Sequence, residues 1–316
     1  MLAVLLTIGL LGCGSARREP GAQDHPVRLR FDEELTLRLE EVISGVVGSA
    51  TLRDPVSLAT TPSGQLVILE RGGPRLILLG PDRRVVRETG ISGISDARSI
   101  RPRWVRAGFA VTYNVVTEQG QLLTYDSQLR LVGSFEPSAE VSGFSGRNLS
   151  GLAIAPFGDT FVGDRDNEVI YHFDPGGRLL GTIGGPDAGL GRLNRPEGLA
   201  VTADGRLIIC DTGARRVVFF DENGQFHSSL GEGALFEPVA VALAPDERAV
   251  FVCDRREPQL LRYSLDGRQL SSWNGLTFIP DGFQAPTDVV AVDSSLWVVD
   301  AGRDRVMRFR IVPGAE

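Results

Sequence analysis

An acidic residue that closes a short apolar run recurs along this chain at a nearly constant interval. It stands at Glu70 after LVIL, Asp164 after FVG, Asp211 after LIIC, Asp254 after VFVC and Asp300 after LWVV. The last three intervals are 47, 43 and 46 residues, and the first gap, 94 residues, spans two periods. A less regular copy from Arg98 to Phe135 fills that gap, with Asn114 at the acidic position. Six copies result. One copy is too small to bury both faces of its own sheet, so the copies must stack on each other. A period of about 40–50 residues with four short strands per copy reads as a β-propeller.

The copy around Arg195–Asp221 shows the internal plan. Leu199 and Val201 belong to a first strand, and Asp204-Gly205 signals a hairpin. Leu207 to Cys210 form the second strand, which ends at Asp211. Thr212 to Arg216 make a polar turn, Val217 to Phe220 a third strand, and Gln225 to Leu230 a fourth. Pro196, Gly198, Asp204-Gly205, Asp211, Arg216-Val217, Phe220-Asp221 and Gly224 resemble the NHL-repeat pattern. Asp300, Arg305-Val306 and Phe309 match it in the last copy, and Asp164 with Asn167 in the third. The resemblance covers Asp54 to Ile311. It implies an all-β, six-bladed, NHL-like propeller occupying residues 31–316.

The last copy has three strands, up to Ile311, which would leave an open edge. Leu35 to Ile43 resembles the fourth strands of other copies. It is expected to pair with Val306–Ile311, so that an N-terminal strand completes the last blade.

Ahead of this ring stands MLAVLLTIGLLGC, an apolar run of the length of a signal-peptide core. Leu10-Leu11-Gly12-Cys13 resembles the bacterial lipobox. The resemblance implies a signal peptide over residues 1–12, a lipidated Cys13 and membrane lipid as a partner. Gly14, rather than Asp, after Cys13 implies the outer membrane, facing the periplasm. Residues 13–30 hold Pro, Gly and charge without apolar periodicity and read as a flexible tether.

Composition removes some functions. All 33 basic residues are Arg, and the net charge is −7. That balance lacks the basic footprint of a nucleic-acid binder. The three histidines, His25, His172 and His227, fall in the tether and in two different copies, so no Ser-His-Asp grouping forms from them. Cys210 and Cys253 hold equivalent places in adjacent copies. A disulfide needs Cα atoms within about 7 Å, so buried free thiols are expected. The repeated Asp164, Asp211, Asp254 and Asp300 are expected to serve the fold by accepting backbone N–H groups and pairing with Arg216 and Arg305.

Two places remain for binding. The starts of the first strands lie at one mouth of a propeller channel and carry Ser57, Ser150, Glu197, Val239 and Asp288, with Arg98 or Ser99 in the irregular copy. Loops after the second strands carry Arg71, Arg165, Arg255-Arg256 and Arg303, a rim suited to an acidic partner or a glycan carboxylate. The reading that follows is a monomeric, membrane-anchored binding or scaffold propeller for a protein or cell-envelope ligand, with no cofactor. The alternative comes from a second resemblance. Pro196-Glu197-Gly198 is similar to the Pro-Asp-Gly of gluconolactonase-like enzymes, which implies a divalent-metal-dependent hydrolase or lyase. Such a site would use Glu197 and Asp288 and imply Ca²⁺, though a Ca²⁺ wants 6–8 oxygen ligands.

Overall fold

The computed structural model describes residues 30, 34–61, 63–91, 101–107, 110–117, 120–136, 148–274, 279 and 281–313, with backbone alone for 101–107, 110 and 111. Residues 1–29 are not among them, so Cys13, the signal peptide and nearly all of the tether lie outside the described residues, as do Arg98 and Ser99.

Six four-stranded antiparallel sheets stand around one axis. Blade 1 comprises Pro55–Thr60, Leu66–Glu70, Arg75–Leu79 and Val85–Gly90. Blade 2 comprises Arg101–Ala107, Ala110–Val116, Leu122–Asp126 and Leu131–Phe135. Blade 3 comprises Leu149–Ile154, Thr160–Asp164, Val169–Phe173 and Leu179–Gly184. Blade 4 comprises Pro196–Val201, Leu207–Asp211, Arg216–Phe220 and Phe226–Leu230. Blade 5 comprises Pro238–Leu243, Ala249–Asp254, Gln259–Ser264 and Gln269–Trp273. Blade 6 comprises Pro286–Val292, Ser295–Asp300 and Arg305–Pro313, and its fourth strand is Leu35–Ser44 from the other end of the chain. The irregular copy is thus a true blade.

Ring closure follows the pairing expected from sequence. Leu37 sits opposite Ile311 and Ile43 opposite Val306, with an irregularity between Leu39 and Glu41. Leu35 and Leu37 enter the apolar cluster of Phe309 and Ile311. Glu40 ion-pairs with Arg310 at 2.7 Å.

The core is a ring of six apolar clusters, one between each pair of neighbouring blades. This explains the sequence pattern. Strands packed on both faces read as unbroken apolar runs, such as LVIL and LIIC, and every residue of Leu66–Glu70 and Leu207–Asp211 is buried. Outermost strands pack on one face and carry exposed residues, as Val85–Gly90 does. In all six blades the register slips between the third and fourth strands. Such bulges twist an edge away from pairing with another chain.

The repeated acidic residues close the second strands at one face of the ring, called here the top. In four blades the acid lies opposite the proline that starts the first strand: Pro55 with Glu70, Pro196 with Asp211, Pro238 with Asp254 and Pro286 with Asp300. Proline suits the first residue of a strand, because its missing N–H breaks no ladder bond there. Asp254 accepts the backbone N–H groups of Phe236, Glu237, Arg256 and Glu257. Asp211 accepts from Asn194 N–H and the Arg216 guanidinium, and Asp300 from Gln284 N–H, Ala285 N–H and the Arg305 guanidinium. Burial comes first in setting the Asp211 pKa and pushes it above its usual value, against the pull of those two donors. Asn114 of blade 2 keeps the place without the charge and accepts from the Thr124 hydroxyl at 2.8 Å. These residues hold turns.

Candidate mouth of the channel

The first-strand starts divide into two kinds of position. Counting from the proline, Glu197 and Val239 are second, and Ser150 holds the same place after Leu149. Ser57 and Asp288 are third, the place held elsewhere by Gly151, Gly198 and Ala240. The sequence reading treated all five as equivalent. The register separates them: Ser57, Ala240 and Asp288 lie opposite the residues just before the acids, Leu69, Cys253 and Val299.

The third position points along the ring at the next inner strand, where little room is left. A Cβ on Gly151 would fall 2.0 Å from the Glu197 carbonyl oxygen, and one on Gly198 would fall 2.6 Å from Ala240 Cα. These glycines let blades 3, 4 and 5 close up at the mouth. Where blade 6 meets blade 1 the same place is filled by a polar pair. Asp288 accepts from the Ser57 hydroxyl and, at 3.2 Å, from Leu58 N–H. Both side chains are fully buried, so the Asp288 carboxylate is committed to ring closure. Ser150 likewise turns sideways and donates to the Pro196 carbonyl at 2.6 Å. Val239 packs in the cluster between blades 5 and 6.

Glu197 is different. Its side chain is buried, with the residue 6% exposed, and Oε1 accepts no hydrogen bond. Arg165 of blade 3 brings Nη2 to 3.2 Å from that oxygen, and Arg255 of blade 5 brings its own to 3.8 Å. Two of the rim arginines therefore converge on one carboxylate at the mouth, from blades on either side of it. Arg255 is also held by Glu237 at 2.5 Å. That hydrogen bond, ahead of every other influence, draws the Glu237 pKa below its usual value, with Arg255, Arg195 and Arg165 adding their charge. Burial works against the Arg255 cation, but Glu237 and Glu197 outweigh it and raise its pKa. Arg165, Arg195 and Arg255 thus meet Glu197 and Glu237 here, and the buried Asp254 adds its charge on Arg255.

The other rim arginines stand apart. Arg71 makes a two-pronged contact with Asp54 of its own blade, at 2.6 and 3.0 Å. Arg303 donates to the Asp281 carbonyl at 2.5 Å. His172 lies away from the mouth, 2.7 Å from Asp159 and stacked on Phe161. Among the described residues no group of three or more His, Cys, Asp or Glu is placed to hold a metal ion. Cys210 and Cys253 are buried and not joined in a disulfide, and the Cys253 thiol lies 4.0 Å from the Asp288 carbonyl. Toward the opposite face the channel opens into an apolar cavity of about 210 Å³, lined by inner-strand residues such as Ala59, Ile154, Val201, Leu243 and Ala291.

Glu197 and Arg255 were each legible as candidates. Their meeting was not, because it depends on how three blades approach. Glu237, which holds Arg255, was missed; an acid directly before the first-strand proline was its signal.

Fold and repeat together define a six-bladed β-propeller of the NHL type. Residues 193–220, the heart of blade 4, match the NHL repeat. No curated protein matches the chain. Among solved structures, a streptogramin B lyase is similar in fold at TM-score 0.62 and 12% identity, over 87% of this chain and 88% of that one. A catalytically inactive virginiamycin B lyase from Staphylococcus aureus, with quinupristin, gives 0.61 at 14% identity, over 89% of each chain. A protein of unknown function from Bacteroides thetaiotaomicron gives 0.64 at 14% identity, over 87% of this chain and 73% of that one. At such identities the likeness is one of fold.

Proposed function

We propose that this chain is an extracytoplasmic binding propeller, tethered to the outer membrane through an acylated Cys13, whose top face captures a protein or cell-envelope ligand. The observation that carries this reading is the convergence of Arg165 and Arg255 on Glu197. It sets half-buried donors and a buried acceptor side by side at the mouth of a rigid ring. The hydrolase or lyase alternative draws on the fold likeness to the lyases. It is weakened by the site: Asp288 is occupied by Ser57 and Leu58, and His172 is bound to Asp159 away from the mouth.

The test is capture of envelope fractions on the immobilised propeller. Wild type should retain a ligand that an Arg165→Ala, Arg255→Ala double variant releases, with both proteins melting at similar temperatures. Equal retention by the two would defeat the reading. Tightly bound stoichiometric metal, lost in Glu197→Ala, would favour the enzyme instead. For the anchor, Cys13→Ser should leave the membrane fraction; a variant that stays there defeats the lipid tether.

A further inference from the structure

Two groups at the mouth are left with unused hydrogen-bonding capacity, and they are of opposite kinds. Arg165 is a quarter exposed, and among the described residues its guanidinium has one polar contact, the 3.2 Å approach to Glu197. That approach is not a hydrogen bond, since Glu197 Oε1 accepts none. A buried carboxylate oxygen without a donor is costly, and a guanidinium carries five donors in a fixed fork. Arg255 cannot settle the account, because its own Nη2 is held by Glu237 at 2.5 Å and stands 3.8 Å from Glu197.

We infer that this mouth takes a carboxylate that carries a hydroxyl beside it, as in a sugar acid. The carboxylate of such a ligand accepts from the Arg165 fork, a planar two-pronged match that lysine cannot offer. Drawing the Arg165 guanidinium toward that carboxylate uncovers Glu197 Oε1, which is closed to solvent without ligand, and a neighbouring hydroxyl then donates to it and supplies the missing bond. A neutral sugar would leave the Arg165 fork without the carboxylate it matches. A simple anion would leave Glu197 without its donor and add repulsion. The inference rests on the reading of the top face as the binding face, and it names the chemistry of the ligand there.

The probes are D-glucuronate, acetate and D-glucose, titrated into the full chain by calorimetry or by ligand-observed NMR. Wild type should bind glucuronate at least about tenfold more tightly than acetate or glucose, in line with the discrimination a site gains from pairing its buried polar groups. Arg165→Gln should lower glucuronate affinity about tenfold or more, and Arg165→Lys should recover part of it. Glu197→Gln should erase the advantage of glucuronate over acetate. Arg84→Gln, an exposed arginine remote from the mouth, should change nothing. Thermal melts of each variant separate loss of binding from loss of fold. Equal binding of glucuronate and acetate by wild type overturns the inference, and so does an unchanged affinity in folded Arg165→Gln. If envelope ligands are still captured through Arg165 and Arg255 while glucuronate is not bound, this inference fails and the binding reading survives. If neither is bound, both fail.

Discussion

Ser57 of the first blade donates its hydroxyl to Asp288 of the last, 231 residues away in the chain. Both are fully buried, and the same carboxylate accepts from Leu58 N–H. The pair closes the inner ring where the junctions of blades 3 and 4 and of blades 4 and 5 use a glycine in tight contact. Asp288→Ala would strip the acceptor from three buried donors, the Ser57 hydroxyl, Leu58 N–H and Val289 N–H, and should destabilise the domain by on the order of 3 kcal/mol. Ser57→Ala should cost less, since Leu58 still donates. In a double-mutant cycle read by urea unfolding, the two changes should cost together clearly less than their sum. Additive costs would show that the contact contributes nothing to closure.

Gly198→Ala should be poorly tolerated for a reason of space. The new Cβ would meet Ala240 Cα at 2.6 Å and the Val239 carbonyl at 2.7 Å, so backbone must move. Overpacking of this kind costs about 1–3 kcal/mol. The displaced strand also carries Glu197, so ligand capture should weaken along with stability. A variant as stable as wild type would mean that blades 4 and 5 leave room for a methyl group between Gly198 and Ala240.

The blades were legible in the sequence because each one states its plan again. Asp211 and Arg216 could be assigned to the fold from one copy and checked against Asp300 and Arg305 in another, and both pairs form. Even blade 2 followed from spacing, with Asn114 at the expected place opposite Thr124. The mouth was legible only residue by residue. Repetition says what is common to the copies, and binding chemistry sits where they differ. Glu197 stood out for that reason, but its partners belong to neighbouring blades, and the sequence carries no mark of which side chains meet across a blade interface. Asp288 looked equivalent to Glu197 although it stands one place further from the starting proline, and one residue of offset turns a side chain to the other face of the strand.

Removing residues 35–43 should unfold the ring as a whole. This strand pairs along Arg305–Pro313 and places Leu35 and Leu37 in the core between blades 5 and 6. Without it the third strand of blade 6 becomes an open edge, with Met307, Phe309 and Ile311 stripped of cover. The truncated chain should lose its cooperative thermal transition and aggregate, as followed by circular dichroism and light scattering. A sharp transition near that of wild type would show that closure through this strand is dispensable.

Acid should weaken the domain through its turns. Asp126, Asp174, Asp204 and Asp266 all sit in hairpin turns with pKa values drawn below the usual 3.8. The leading cause is the backbone N–H of Arg130 for Asp126 and of Arg178 for Asp174. For Asp204 and Asp266 it is the hydroxyls of Thr202 and Ser264. A carboxylate whose folded pKa is lowered adds stability that is present above its unfolded pKa and lost as pH falls through the folded one. The loss should therefore begin near pH 3.8 and deepen below it. Asp211 acts in the opposite sense. Burial raises its folded pKa, so its protonation at falling pH favours the native state. Urea midpoints measured from pH 7 down into this range should fall less steeply for Asp126→Asn with Asp174→Asn than for wild type. They should fall more steeply for Asp211→Asn. Parallel curves for all three proteins would remove these aspartates from the acid response.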